Sequence, residues 1–307
     1  MLGGVKIESA DFYSLTELYD ILHTPGTARE VDGLERIARK FAPGAVRRKS
    51  TGAGARAPTS PRRLGEVGGT LSATSPVWLE PACGTGRYLR VLARRGYRAI
   101  GFDKSEEMVE YAEETLNRKD AARRAAVPQA RVFIAGMEDF DRHLRGVKVD
   151  FAFNLINTIR HLPSDRAMVA HLDAMARVMK KGAVYIVGLS LTAYGRERDD
   201  EDLWKGRRGA TEVTQIVQYL PPPPEVSRGP GARTERVISH LVVRSGERTR
   251  DITSAYTLRC YSLGQWMKVV EKSALEVVAS IDEDGNEHLA RDGGYCVFVL
   301  RKKGERR

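Results

Sequence analysis

From Val77 onward the chain alternates short apolar runs with stretches of helical periodicity, and no other feature restricts the fold as much. Val77-Trp78-Leu79, Arg98 to Phe102, Arg131 to Ile134, Val149 to Leu155 and Ala183 to Leu191 read as strands. Helices are expected at Arg87 to Arg95, Ser105 to Lys119 and Asp165 to Met179. Parallel strands cannot be joined by a tight turn; each pair needs a crossover, and the helices supply it. A later helix, Leu263 to Ser273, and two strands, Glu276 to Ile281 and Tyr295 to Arg301, extend the pattern. The expected fold class is α/β: a doubly wound, mainly parallel seven-stranded sheet with helices on both faces.

The flanking segments follow other patterns. Phe12, Leu15, Leu18, Tyr19 and Leu22 recur at helical spacing, Pro25-Gly26 makes a turn, and a second amphipathic helix is expected from Ala28 to Phe41. Residues 1–43 therefore read as an N-terminal helical cap. Residues 44–75, rich in Gly, Ala, Ser, Thr, Pro and Arg, read as a flexible basic loop. Three β-rich segments, Glu212 to Leu220, Glu235 to Val243 and Thr249 to Arg259, lie near an acidic stretch at Asp199 to Asp202 and four prolines, Pro221 to Pro224. They place an antiparallel β insertion at 195–255, a lid over the domain formed by 76–194 and 256–307.

The chemistry centres on Glu80-Pro81-Ala82-Cys83-Gly84-Thr85-Gly86, a loop between the first strand and its helix. Gly84 and Gly86 let the backbone turn sharply and let a ligand approach the main chain. A dinucleotide loop would carry a third glycine where this chain has Leu89, and no Gly-Lys-Ser/Thr of a Walker loop follows. The second strand ends in Asp103, 19 residues after Gly84, where an acid can accept from a ribose diol. Glu80 would repel a pyrophosphate but suits a ligand carrying an ammonium and a sulfonium. Glu80, Leu89 and Asp103 together favour S-adenosylmethionine over a nicotinamide dinucleotide.

The stretch from Val77 to Glu113, including WLEPACGTGRYLRVLARRGYRAIGFDKSEEMVEYA, resembles the first two cofactor motifs of class I S-adenosylmethionine-dependent methyltransferases. The similarity extends over most of Val77 to Leu191 and more faintly through Leu258 to Ser262 and the last two strands. The resemblance implies that Ala82, Gly84 and Gly86 hold the methionine part of the cofactor, Asp103 the ribose, and Lys104 and Met108 the adenine. The third motif often reads Gly-Asp-Met; here it is Ala135-Gly136-Met137-Glu138, so Glu138, or backbone around Met137, takes over the adenine contact. The product would be S-adenosylhomocysteine.

Asn154 and Asn157 are polar residues in an apolar run and read as cofactor or substrate contacts, or as caps of the next helix. His161 is a candidate general base. The N-terminal helix of such small-molecule enzymes often closes over the site, which makes Tyr13 and Tyr19 candidates for orienting the acceptor. Arg259 and Tyr261, ending an inserted strand, are candidates for an anionic substrate group.

The formal charge of +10 resides almost wholly in 44–75 and 301–307, which carry +9 of it, so no folded basic face is implied. Flexible arms could still contact an acidic partner such as RNA. Cys83, Cys260 and Cys296 have neither metal nor disulfide spacing. No apolar run is long enough to cross a bilayer and no secretory pattern opens the sequence, so a cytoplasmic chain is expected. The leading expectation is methyl transfer to nitrogen or oxygen of a small molecule. The alternatives are an RNA or protein methyltransferase, a cofactor-binding regulatory protein without catalysis, and a nicotinamide oxidoreductase; oligomeric state is not legible.

Overall fold

The computed structural model describes residues 7–47, 75–118, 130–222 and 233–305. Residues 48–74, most of the expected basic loop, lie outside them, as do Lys119 at the expected helix end, Pro223, Pro224 and the last two residues.

A three-residue strand, β1 (Ile7–Ser9), precedes a single 3-10 turn at Phe12–Ser14, where the Asp11 carboxylate accepts from the Tyr13 N–H at 3.0 Å. Next come α1 (Thr16–His23) and α2 (Thr27–Phe41), separated by Gly26 at φ 86°. The central run is β2 (Val77–Pro81), α3 (Arg87–Arg94), β3 (Arg98–Asp103), α4 (Glu106–Arg118), β4 (Arg131–Ile134), β5 (Val149–Asn154), α5 (Asp165–Val178) and β6 (Met179–Ser190). A meander follows: β7 (Asp200–Arg208), β8 (Thr211–Leu220), β9 (Thr234–Ser245) and β10 (Arg248–Arg259). The chain then returns through α6 (Leu263–Lys272), β11 (Leu275–Ile281) and β12 (Tyr295–Lys302).

The main sheet has the order β11-β12-β6-β5-β2-β3-β4, with β12 antiparallel to both neighbours and the central pairs parallel. Successive strand residues face opposite layers. Thus Trp78 packs among α2, α3 and α4, whereas its neighbour Leu79 packs among α5 and α6. This is the α/β class read from the rhythm of the sequence, and the sheet order reverses between β2 and β5, where open α/β sheets bind ligands.

The N-terminal segment divides. Val31, Leu34, Ile37 and Ala38 of α2 join the core beneath the main sheet, while Phe12, Ile21 and Leu22 pack on the meander. The second sheet, ordered β1-β10-β9-β8-β7, contains two strands the sequence reading did not foresee. β1 lies in a stretch read as helical and pairs parallel with β10. β7 covers Asp199–Asp202 in part; its only large apolar residues, Leu203 and Trp204, are adjacent, so no period of two appears. Gly206 fixes β7 in place, because a Cβ there would collide with the Ile21 carbonyl of α1. Among the described residues no helix is long and apolar enough to cross a membrane.

Candidate active site

The loop after β2 is built on left-handed backbone: Ala82 has φ 50°, Gly84 φ 50° and Gly86 φ 70°. Such angles strain a residue with a side chain, and Ala82 is the exception that bears the strain. The Cys83 N–H donates to the Phe102 carbonyl at 2.9 Å, pinning the loop to β3. Leu89, standing where a dinucleotide fold has its third glycine, is accommodated from the other side: a Cβ on Gly101 would lie 2.6 Å from Leu89 Cδ1 and 2.7 Å from Cys83 Sγ. Gly86 in turn meets Ala112 of α4, whose methyl would be 3.2 Å from an added Cβ. Small residues on β3 and α4 therefore provide the close packing that a third glycine provides elsewhere.

Asp103 ends β3 with both oxygens engaged by backbone: Oδ2 accepts from Gly84 N–H at 2.8 Å and Oδ1 from Ser105 N–H at 3.0 Å. Each oxygen keeps a lone pair for a ligand. Burial raises its pKa, against those hydrogen bonds. Glu80 and Asn154 lie on the same floor. Burial raises the Glu80 carboxyl well above its usual range, outweighing nearby Arg87, and its Oε2 has no partner among the described residues. Asn154 donates from Nδ2 to the Pro81 carbonyl at 2.9 Å, which leaves Oδ1 buried and unpaired. Two orphaned polar atoms lining one cavity are costly when unpaired and are satisfied by a ligand bearing donors or positive charge.

The floor continues through Lys104, Ser105, Met108 and Ala135–Glu138, all of which line the same cavity. His171 of α5, fully buried, braces this part: Nδ1 contacts the Met137 carbonyl at 2.8 Å and Nε2 the Tyr185 hydroxyl at 2.9 Å. Burial lowers its pKa to about 4, against the Met137 contact.

The roof comes from two remote segments. Phe12, Tyr13, Tyr19 and His23 arrive from the N-terminal turn and α1; Trp204, Gln215, Val217, Tyr219, Tyr256 and Leu258 arrive from the meander. Tyr13 and Tyr256 approach with ring centroids 5.6 Å apart, and Tyr19 and His23 with 4.4 Å. Tyr19 lies over the loop, its ring 3.5 Å from where a Gly84 Cβ would stand. The Tyr13 hydroxyl meets His161 Nε2 at 2.8 Å. Burial, then Lys104 and Arg160, lowers the His161 pKa to about 4, so the imidazole is neutral at physiological pH. Floor and roof enclose a cavity of about 340 Å³.

One residue ties roof to floor. Asp20 of α1, 3% exposed, accepts from Thr85 Oγ1 of the loop at 2.8 Å and from Arg90 of α3 at 2.5 Å, and pairs with Arg208 of β7. Burial alone would raise its pKa, but Arg90 and Arg208 more than offset this and lower it.

Most expected site residues meet in this cavity: Glu80, Ala82, Gly84, Asp103, Lys104, Met108, Met137, Glu138, Asn154, Asn157, His161, Tyr13 and Tyr19. Three do not line it. Gly86 caps α3 one step behind the cavity wall. Arg259 points to α5, pairing with Asp165 at 3.1 Å, and Tyr261 is fully buried beside Trp266, which corrects their expected place at an anionic substrate group. The strand pattern could not show this, because β10 ends before the direction of its last side chains is fixed by α5. Asn157 lines the cavity, but its amide is committed to Ser190, accepting from the N–H at 2.6 Å and donating to Oγ at 3.1 Å. Sequence reasoning missed Phe12, His23, Trp204, Gln215, Val217, Tyr219, Tyr256 and Leu258. The alternation in β8 and β10 marks an inner face, but nothing local says that this face covers a cofactor loop. Among the described residues no group of three His, Cys, Asp or Glu side chains is placed to hold a metal.

Residues 79–182 match a family model described as a methyltransferase domain. Comparison of the sequence with curated proteins finds no match. Among solved structures, DesVI from Streptomyces venezuelae is 16% identical with TM-score 0.63, over 94% of this chain and 98% of its own. The sugar N-methyltransferase KedS8 from a Streptoalloteichus species is 18% identical with TM-score 0.63, over 98% and 99%. CalS10 from Micromonospora echinaspora, an amino pentose methyltransferase, is 18% identical with TM-score 0.53, over 75% and 85%. Residues 79–182 form a methyltransferase domain, and the sheet order around its loop is that of the class I methyltransferase fold.

Proposed function

We propose that this chain methylates a nitrogen of a small-molecule amine, with S-adenosylmethionine held on the cavity floor. Glu80 Oε2 and the Asn154 carbonyl, both without a donor among the described residues, suit the cofactor's ammonium. Ala82 and Gly84 carry the methionine part, with Gly86 shaping the turn; Asp103 takes the ribose hydroxyls; Lys104, Met108, Met137 and Glu138 flank the adenine. Bound there, the cofactor supplies a methyl group already activated by a sulfonium. The protein is left to bring the acceptor into line and to exclude water.

The observation that carries the choice of nitrogen is the pairing of Tyr13 with His161 at 2.8 Å. An imidazole lowered to about 4 is a poor base for an aliphatic hydroxyl, which must lose its proton as oxygen attacks. An amine that enters as the free base, its ammonium proton already given to bulk water, attacks with a lone pair it has before any proton moves, and the product leaves as the ammonium. The Tyr13–His161 pair then orients the acceptor, and Asn157 keeps the wall rigid through Ser190. Faces of Phe12, Tyr13, Tyr19 and Tyr256 stabilise the positive charge that develops on nitrogen. Two of the structures similar in fold are, by their names, methyltransferases of sugar nitrogen and of an amino pentose, in agreement with an amine acceptor. The cavity of about 340 Å³ suits a small molecule rather than a polymer.

The test is incubation of purified protein and S-adenosylmethionine with a panel of cyclic and acyclic amines and the matched alcohols, following S-adenosylhomocysteine release. Turnover confined to amines is expected. Turnover on alcohols alone, or on RNA or protein alone, refutes the reading.

A further inference from the structure

The inner face of the meander is apolar except for one row. Val213, Leu241, Val243 and Ile252 pack on α1, and Val217, Val237 and Leu258 form a second apolar patch toward the other end of the strands. Between the two patches run Gln215 on β8, Ser239 on β9 and Ser254 on β10, at 2%, 0% and 7% exposure. Ser239 and Ser254 are register partners, and Gln215 donates from Nε2 to Ser239 Oγ at 2.8 Å. Ser254 Oγ is buried without a partner among the described residues. Apolar side chains would fill this row as well as those on either side, without the cost of desolvating an amide and an unpaired hydroxyl.

Only Gln215 of the three lines the cavity. Its amide is oriented from behind: with Nε2 committed to Ser239, the carbonyl Oε1 is the group left for the cavity, and no hydrogen bond to it is found among the described residues. We infer that Gln215 selects the acceptor, its carbonyl accepting from a hydroxyl or second N–H on the molecule that is methylated, and that Ser239 is the positioning residue that holds the amide in that orientation. This deepens the amine reading and rests on it. The substrate class becomes an amine that also carries a hydrogen-bond donor, such as an amino alcohol, presented so that its nitrogen faces the floor while the donor meets the roof. A plain alkyl amine would leave the Gln215 carbonyl unpaired in a desolvated site, and sites of this kind discriminate strongly against analogues lacking the group.

The experiment compares cyclohexylamine with the 2-, 3- and 4-aminocyclohexanols. Calorimetric affinity for the protein loaded with S-adenosylhomocysteine is measured alongside kcat/KM with S-adenosylmethionine. The wild type is expected to prefer at least one aminocyclohexanol over cyclohexylamine by about tenfold or more. Gln215→Leu, which keeps an apolar strand face and should fold, is expected to abolish that preference while leaving affinity for the cofactor unchanged. Gln215→Glu, which retains an acceptor, is expected to keep it, and Ser239→Ala to reduce it chiefly through KM. Equal use of all the amines by the wild type, or an undiminished preference in Gln215→Leu, overturns the inference alone. Failure of every amine both to bind and to react overturns the amine reading and this inference with it.

Discussion

The floor and the roof of the cavity are built on opposite principles. The floor is a set of strand ends in one parallel sheet, where backbone N–H groups from Gly84 and Ser105 hold Asp103 and where Glu80 and Asn154 keep acceptors unpaired. The roof is made of side chains, mostly aromatic, from segments about two hundred residues apart that meet because β1 pairs with β10 and α1 packs on the meander. The difference teaches which part can vary: a floor defined by backbone geometry tolerates little change, while a roof of side chains on a separate sheet can be refitted to another acceptor without disturbing the cofactor loop.

The largest test of that division is Asp20→Ala, which removes the one residue that, among the described residues, bonds the loop, α3 and β7 together. Leaving Arg90 buried without its partner should cost about 3–5 kcal/mol of stability. Thermal or chemical denaturation measures it, and a loss below about 1 kcal/mol would show that roof and floor are held together elsewhere. Asp103→Ala should weaken cofactor binding by about 1–3 kcal/mol in calorimetry through lost charge-assisted bonds; unchanged affinity would remove the ribose assignment. Gly101→Ala should destabilise the floor by about 1–3 kcal/mol, because the new methyl meets Leu89 and Cys83 in a packed core. An unchanged melting temperature would mean that the close packing of loop on strand is not needed.

Acidity separates the regions more gently. His171 is held neutral beneath the floor with a pKa lowered to about 4. The unfolded chain therefore binds a proton that the folded chain refuses between about pH 6.5 and 4, so stability falls as pH drops through that window. The share of His171 by pH 6 should be about 1 kcal/mol, read as a smaller loss on acidification in H171Q than in the wild type. His23 and His161, each lowered to about 4, respond in the same direction. His161 accordingly imposes no limb on the rate profile between about pH 5 and 8. The smallest effect belongs to Arg259→Ala, whose partly exposed pair with Asp165 lies outside the cavity. It should cost at most about 1 kcal/mol of stability and leave the acceptor KM unchanged; a raised KM would return Arg259 to the site.

Particular residues show how far the sequence could be read. The strand rhythm gave the main sheet, since each crossover helix is recognisable from its own periodicity. Gly84, Gly86 and Asp103 were legible because turn chemistry and the spacing of consecutive strand ends are local. Leu89 was legible as a departure, but not its accommodation by Gly101 and Ala112, which depends on how closely β3 and α4 approach. Tyr13 and Tyr19 were legible only as candidates on an amphipathic helix. β7 was hidden because its two apolar residues are adjacent, and Trp204 with it; Gln215 lay in a foreseen strand, β8, but nothing local shows that its side chain lines a cavity.

By itself the sequence determined the parallel sheet, the cofactor loop and the acid that ends β3, because all of these follow from backbone rules acting over a few residues or one crossover. Only the tertiary structure decided that α2 belongs to the core while α1 belongs to the roof, that Arg259 turns to α5 and Tyr261 packs beside Trp266 of α6, and that Tyr13 meets His161. Tyr13 and His161 are 148 positions apart and Arg259 and Asp165 are 94 apart, and the packing energy that selects such contacts is nonlocal: it depends on which faces of two sheets are left to bury one another.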